Sequence, residues 1–122
     1  MGEKGSFRFK REERLKGRNE IREVFKSGRR YSCPGAKLFV LKNALPRNRI
    51  CFTFSRGGNA VRRNRARRLA REAYRLLKPR LLCGYDLILL LYRSAEGGRK
   101  DVSFSFKTSQ LEPLFRRAGL LK

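Results

Sequence analysis

The sequence lacks histidine and tryptophan altogether, and its 122 residues include only three cysteines and 10 acidic side chains. Cys33, Cys51 and Cys83 form no C-x-x-C pair, so without histidine the chain has no zinc-binding pattern. The acidic residues are scattered, which argues against a carboxylate cluster for Mg²⁺ and against a general base paired with a nucleophile. We therefore expect no catalytic residue and no metal ligand on this chain.

Long hydrophobic runs are also missing. The longest, Leu81 to Tyr92, has about a dozen residues and includes Asp86, whereas a membrane-spanning helix needs ~20. The opening residues, MGEKGSFRFKREER, lack the apolar stretch of a secretory signal. We expect a cytoplasmic protein with neither a membrane partner nor a small-molecule substrate.

Basic residues are abundant. The 32 lysines and arginines give a formal net charge of +22, which repels itself in a compact fold unless a polyanion neutralises it. Nucleic acid is therefore the first candidate partner. Because the basic residues alternate with apolar ones, the pattern indicates a folded domain rather than an unfolded tail. We predict one RNA-binding domain over residues 1–122, with residues 1–13 as a candidate flexible basic segment.

The segment from Asn59 to Arg75 contains seven arginines in a pattern typical of a helix, with Asn64 among them. At about 100° per residue, its apolar side chains fall within roughly 120° and its polar side chains within about 140° on the opposite side. We predict that the apolar set packs on the protein; its members are Leu69, Ala73, Leu76, Leu77, Ala66 and Ala70. The polar set suits phosphates, because guanidinium groups donate charge-assisted pairs of hydrogen bonds. Its members are Arg63, Asn64, Arg67, Arg68, Arg71 and Arg75.

Periodicity and turn residues predict the remaining elements. A short helix ends at Gly28, Pro79 ends the arginine-rich helix, and strands cover Ala36–Asn43, Arg49–Ser55 and Tyr85–Tyr92. We expect the first two strands to form a hairpin and the third to lie at the centre of the sheet. The remaining segments are a short strand near Arg29–Ser32, an alternating run at Val102–Phe106, and a helix from about Ser105 or later to Gly119. The order indicates an α+β fold on one small mixed sheet.

Three motifs follow one another along the chain. R-L-K at Arg14–Lys16 precedes a helix ending V-F-K-S-G at Val24–Gly28, and G-N-A-V-R-R-N-R-A-R-R-L-A-R-E occupies Gly58–Glu72. This series resembles the protein subunit of bacterial ribonuclease P, and the resemblance runs from about Phe7 to Leu121. It implies an α-β-β-β-α-β-α sandwich whose basic helix lies in a left-handed βαβ connection, an exception to the usual right-handed rule.

The resemblance also implies a function. The protein would pair with the catalytic RNA of ribonuclease P and assist in removing the 5′ leader from precursor tRNA. The RNA would hold the Mg²⁺ ions that activate water, and the protein would bind the RNA and the leader. This division of work explains why the sequence shows no catalytic side chains.

The resemblance assigns two sets of site residues. RNA contact is implied for Arg63, Asn64, Arg65, Arg67, Arg68 and Arg71, and a leader cleft for Ile21, Phe25, Val40 and Lys42. Two features depart from the family pattern. Ile21 stands where a stacking ring can occur, and the loop Ser55–Gly58 is one residue shorter than usual. The first departure predicts weaker base stacking in the cleft, and the second puts the RNA contacts of the loop in question.

Two other functions share part of this evidence. A ribosomal or ribosome-assembly RNA-binding protein would have the same charge and a similar small α+β fold. An autonomous protein nuclease would cleave RNA without an RNA partner. Reconstitution with the catalytic RNA separates all three.

Overall fold

The computed structural model describes residues 11–33, 35–54, 60–92 and 108–122. Within these ranges the elements follow the predicted order α-β-β-β-α-β-α, which confirms the α+β class. They are α1 (Arg18–Ser27), β1 (Arg29–Cys33), β2 (Ala36–Lys42), β3 (Arg49–Phe54), α2 (Ala60–Leu77), β4 (Tyr85–Leu91) and α3 (Leu111–Arg117). Single turns of 3-10 helix lie at Arg11–Glu13, Lys78–Arg80 and Thr108–Gln110. None of the described helices is long and apolar enough to cross a bilayer.

The described strands form one mixed sheet in the order β1-β2-β4-β3. β2 is antiparallel to both β1 and β4, whereas β3 is parallel to β4. β4 lies inside the sheet, as its unbroken apolar run predicts. The predicted hairpin between the second and third strands is wrong, because β4 separates them. The hairpin joins β1 to β2 instead: Cys33 pairs with Ala36, and Gly35 in the turn has a φ of 85°, which glycine adopts readily.

Helices cover both faces of the sheet. α2 and α3 pack on one face, where the core includes Leu38, Ile50, Leu87, Leu89 and Phe115. α1 packs on the other face, around a smaller cluster of Leu15, Val24, Phe39 and Ile88. Side chains alternate along each strand, so neighbouring residues of one strand belong to different cores.

The orientation of α2 differs from the prediction. Ala70, Ala73, Tyr74 and Leu77 are buried, but Leu69 and Leu76 are 44% and 64% exposed. The prediction that both leucines face the core is therefore wrong, and the buried side is turned by roughly 45° from the predicted one. The Tyr74 ring explains the difference, because it lies between Phe52 and Phe115 at centroid distances of 6.1 and 6.2 Å. Burying this aromatic ring removes more apolar surface from water than burying a leucine.

Asp86 is the buried acidic residue of the described chain, at 6% exposure on β4. It accepts hydrogen bonds from Arg49 Nε and Nη2 at 2.8 and 2.6 Å, and from Asn43 Nδ2 at 2.7 Å. These bonds join the start of β3 and the connection after β2 to the central strand. A buried carboxylate needs such partners because desolvation disfavours its charge.

The C-terminal region closes the α2 side of the core. α3 begins at Leu111, and Pro113 lies in its first turn, where a missing N–H costs nothing. Leu82 N donates to Leu120 O at 2.7 Å, which joins the chain end to the segment before β4. The alternating run at Val102–Phe106 and the loop Ser55–Gly58 lie outside the described residues.

Candidate nucleic-acid interface

One flank of α2 carries most of the polar residues of the arginine-rich motif. On a helical projection Arg67, Arg71, Asn64, Arg75 and Arg68 follow one another over roughly 100°, starting beside the buried side of the helix. Arg67 and Arg75 are half-buried and the other three are exposed. We call these five residues the basic flank. It presents several planar donors to one side of a rigid helix, which suits phosphate oxygens.

Two contacts orient Arg67 within the basic flank. Its Nη1 donates to Asn64 Oδ1 at 3.4 Å, and its guanidinium carbon lies 5.1 Å from the centroid of the Phe54 ring. The negative face of an aromatic ring attracts a cation at this distance. The amide of Asn64 is neutral, so it orients the guanidinium without cancelling its charge.

A pocket of about 140 Å³ opens where the basic flank meets the N-terminal segment along the outer edge of β3. Leu15 N donates to Ile50 O at 2.9 Å, which holds this segment against the strand. We call the opening the cationic pocket. Its charged lining consists of Arg14, Lys16, Arg67 and Arg71.

The cations of this pocket repel one another. The pKa of Arg71 is lowered, first by partial burial and then by the charges of Arg14 and Arg67. Arginine nevertheless stays charged at neutral pH. An anion bound in the cationic pocket would therefore lower its electrostatic energy.

Cys51 forms part of the same pocket but is poorly suited to nucleophilic chemistry. Burial raises the pKa of its thiol above the ordinary value of 9.0, and the charge of Arg67 opposes this shift only in part. The thiol is thus protonated at neutral pH, whereas a nucleophilic cysteine needs its thiolate.

Several other arginines are held by carboxylates. Arg75 bonds Glu72 one turn earlier on α2, and the hydrogen bond from Arg75 lowers the pKa of Glu72. Glu112 accepts from Arg80 at 2.9 Å and from Arg116 at 2.7 Å. Neutralised pairs of this kind contribute little to phosphate binding. Arg75 therefore adds little net charge to the basic flank.

A second candidate surface lies on the α1 side of the sheet. Ile21 and Phe25 of α1 are half-buried and pack against the cluster that contains Phe39. The rings of Phe25 and Phe39 meet edge to face at a centroid distance of 4.8 Å, and the Arg30 guanidinium lies 5.8 Å from the Phe39 centroid. Aromatic rings beside a cation suit an unpaired nucleotide, which offers a base for stacking and a phosphate. Because Ile21 and Phe25 are two of the four residues predicted for the leader cleft, we use that name for this surface.

Val40 and Lys42 do not lie on the same side of the sheet as Ile21 and Phe25, so the four residues predicted for the leader cleft do not line one surface. Val40 belongs to the core under α2 and α3, and strand alternation places Lys42 on the same side. The β2 side chains that face α1 are those of Phe39 and Leu41. A shift of one residue along a strand moves a side chain to the opposite face of the sheet. An error of one position in the predicted register of β2 therefore reverses the face assigned to each of its residues.

The six residues of the arginine-asparagine motif do not share one surface. Four of them belong to the basic flank. Arg63 is half-buried and lies roughly 40° before Arg67 on the helix, towards the core. Arg65 is exposed but lies roughly 120° beyond Arg71, on the side of the exposed leucines. One flat RNA surface could therefore not contact all six.

Arg14 and Lys16 line the cationic pocket, yet sequence reasoning did not assign them to a site. They are far from α2 in the sequence, and periodicity carries no information about such distant contacts. The R-L-K motif was the available signal.

The described residues do not fit a magnesium site. Within the described ranges, no three Cys, Asp or Glu side chains lie close enough together to hold a metal ion. Asp86, the buried carboxylate, is already bonded to Arg49 and Asn43.

Comparison with known proteins decides the family. The sequence model of the family described as "Ribonuclease P" matches residues 9–119. The chain belongs to the bacterial ribonuclease P protein family. The ribonuclease P protein component of Symbiobacterium thermophilum is 39% identical over 116 residues, which cover 93% of this chain and 97% of that protein. The component of Natranaerobius thermophilus is 48% identical over 77 residues, or 62% and 67% of the two chains.

Solved structures of ribonuclease P proteins share the fold. The Staphylococcus aureus protein superposes with a TM-score of 0.72 over 90% of this chain and 98% of that one, at 22% identity. The Thermotoga maritima protein gives a TM-score of 0.71 at 26% identity over 86% and 96% of the two chains. Family membership makes this chain the protein component of an endoribonuclease ribonucleoprotein of tRNA processing, whose partner is the ribonuclease P RNA. The resemblance drawn from the sequence motifs is confirmed.

Proposed function

We propose that the basic flank and the cationic pocket bind phosphates of the ribonuclease P RNA, and that the leader cleft holds the unpaired 5′ leader of precursor tRNA. The observation that carries the proposal is the convergence of four cationic side chains on one pocket of about 140 Å³. Through these contacts the protein assists the endonucleolytic cut that produces the mature 5′ end of the tRNA.

In the RNA-binding step, the arginines act as phosphate clamps. Each neutralised phosphate releases condensed counterions, so this contribution to affinity falls as the salt concentration rises. Arg67 is already oriented by Asn64 and Phe54, so less side-chain freedom is lost on binding. Phosphate contacts of this kind determine where the protein sits on the RNA, without reading its sequence.

In the leader-binding step, the half-buried ring of Phe25 offers a stacking surface and Arg30 offers a nearby charge. Ile21 contributes apolar contact rather than stacking, so the cleft would hold a leader without strong base preference. We place Mg²⁺ on the RNA subunit, because the described residues do not fit that ion.

Reconstitution tests the function. Purified protein alone should not cleave precursor tRNA, and the RNA alone should cleave slowly at low Mg²⁺. Mixing the two should restore rapid cleavage. Cleavage by the protein after nuclease treatment would support an autonomous nuclease, and failure of the mixture to cleave would support a ribosomal role.

Leader length tests the position of the cleft. Phe25→Ala should weaken binding of precursor tRNA with a long leader, but not of substrate that carries a single leader nucleotide. Lys42→Ala is the matched control, because Lys42 is exposed on the opposite side of the sheet. A leader-dependent loss with Lys42→Ala and none with Phe25→Ala would refute the placement of the leader on the α1 side.

A further inference from the structure

The N-terminal segment is joined to the end of α2 by an ion pair. Lys78 Nζ lies 2.7 Å from Glu13 Oε1, and the two side chains are only 14% and 13% exposed. Glu13 ends the first 3-10 turn, and Lys78 begins the turn that follows α2. The second carboxylate oxygen, Glu13 Oε2, is buried and has no hydrogen-bond donor among the described residues.

Stability alone gives a poor account of this pair. Removing two charges from water costs about as much free energy as their mutual attraction returns. This desolvation cost is less well compensated when one carboxylate oxygen has no hydrogen bond. Replacing a buried ion pair by apolar residues of similar size is often neutral or stabilising. A buried ion pair does, however, favour a single arrangement of the two segments that it joins, because leaving either charge buried without its partner is strongly unfavourable.

The arrangement that needs defining is the approach of Arg14 to α2. Arg14 directly follows Glu13. The charges of Arg14 and Arg67 both lower the pKa of Arg71. Like charges favour movement of the N-terminal segment away from the helix. Lys78 lies on the same side of the helix as Arg71, seven residues later, so a bond from Glu13 to Lys78 opposes this movement directly.

Other contacts of the N-terminal segment are to β3 and to the connection that precedes it. Leu15 is buried, and its N–H bonds Ile50 of β3. Arg47 Nε donates to Glu12 O at 3.1 Å. Both contacts hold the segment along β3 and the neighbouring connection, whereas the Glu13 bond to Lys78 holds it against the end of α2.

We propose that Glu13 and Lys78 are positioning residues that hold Arg14 and Lys16 in the cationic pocket, and thereby complete the RNA-binding surface without touching RNA themselves. This inference rests on the proposed function of the pocket. It predicts that removing the pair opens the pocket in the free protein and weakens RNA binding in the complex.

Cys51 reports on the pocket without any RNA. In a Cys33→Ser, Cys83→Ser background, Cys51 is the remaining thiol of the chain, and it lines the pocket beside the N-terminal segment. Glu13→Gln and Lys78→Met should raise its rate of reaction with a neutral maleimide on the order of tenfold, the change that about 1.4 kcal/mol of lost restraint produces. The exchanged pair Glu13→Lys, Lys78→Glu should return the rate towards that of the background protein.

Glu112→Gln is the matched control, because it removes a carboxylate held by two arginines away from the pocket. It should leave the Cys51 rate unchanged. Circular dichroism identifies any variant that unfolds. For such a variant, the Cys51 rate of the exchanged pair tests the proposal in place of the rate of the single variant. Equal Cys51 rates in the single variants and the background, or an exchanged pair as reactive as the single variants, would overturn the proposal.

Binding to ribonuclease P RNA separates the two proposals. If both hold, Glu13→Gln should reduce the slope of log affinity against log salt on the order of 1.5, as expected for two lost phosphate contacts. A faster Cys51 reaction with an unchanged slope would retain the positioning role in the free protein and refute the RNA-binding role of Arg14 and Lys16. An unchanged Cys51 rate with a reduced slope would refute the positioning role.

Discussion

Replacing Arg71 by glutamine should weaken RNA binding and change the stability of the fold by less than about 1 kcal/mol. Arg71 and Arg67 are like charges one turn apart on α2, an arrangement that costs a helix about 0.2–0.5 kcal/mol. Arg71 is exposed and glutamine has nearly the same helix propensity as arginine, so the unfolding free energy should change little. Loss of one phosphate contact should reduce the slope of log affinity against log salt by about 0.7–0.9.

Arg75→Gln is the matched control for this experiment. Arg75 lies four residues later on the same flank but is bonded to Glu72, so its removal should change the salt slope much less. It should also lower the unfolding free energy slightly, because a pair of this kind stabilises a helix. The measurements are urea denaturation and titration of labelled ribonuclease P RNA at several salt concentrations. The reasoning fails if Arg75→Gln reduces the slope more than Arg71→Gln, or if Arg71→Gln destabilises the fold by more than about 1 kcal/mol.

Three further predictions concern the fold. Tyr74→Ala should lower the unfolding free energy by about 3–5 kcal/mol, as large aromatic truncations do, whereas Leu76→Ala should change it by less than about 0.5 kcal/mol; urea denaturation of both variants checks the rotation of α2. Asp86→Asn should lower the unfolding free energy by about 3 kcal/mol. This value is near the lower end for a broken buried ion pair because the Arg49 side chain keeps 23% exposure, and a loss below about 1 kcal/mol would contradict this account. Hydrogen bonds from two arginines lower the pKa of Glu112 below its ordinary value of 4.5, so its contribution to stability is present above that pH and is lost as the pH falls through the lowered value. Melting temperatures measured between pH 7 and pH 3 should therefore fall less steeply for Glu112→Gln than for the unchanged protein.

The sequence was sufficient to predict the types and order of the elements, but not the neighbours of each strand. β2 and β3 are consecutive in the chain and separated by turn residues, which favours a hairpin. Their separation by β4 depends on contacts between residues more than 30 positions apart, such as Cys51 with Ile88. Local periodicity contains no such information. The left-handed connection between β3 and β4 stays a prediction of the family resemblance.

The orientation of α2 illustrates a limit of hydrophobic patterns. The predicted apolar side consists of leucines and alanines and does not include Tyr74, because the hydroxyl makes tyrosine a weaker apolar signal than leucine. In the fold, its ring fills the space between Phe52 and Phe115, and the two flanking leucines remain exposed. The rotation also brings the Arg67 guanidinium over the Phe54 ring, where the negative face of the ring attracts its charge.

The arginine-asparagine motif acquires a physical explanation from this geometry. An acidic residue at position 64 would also orient Arg67, but it would cancel the charge that binds phosphate. An arginine there would add to the repulsion already felt by Arg71. Asparagine avoids both effects, because its carbonyl oxygen accepts from Arg67 while the side chain stays neutral. The motif thus combines charge for affinity with one neutral acceptor for orientation, and charge counting along the sequence could reveal only the first of these.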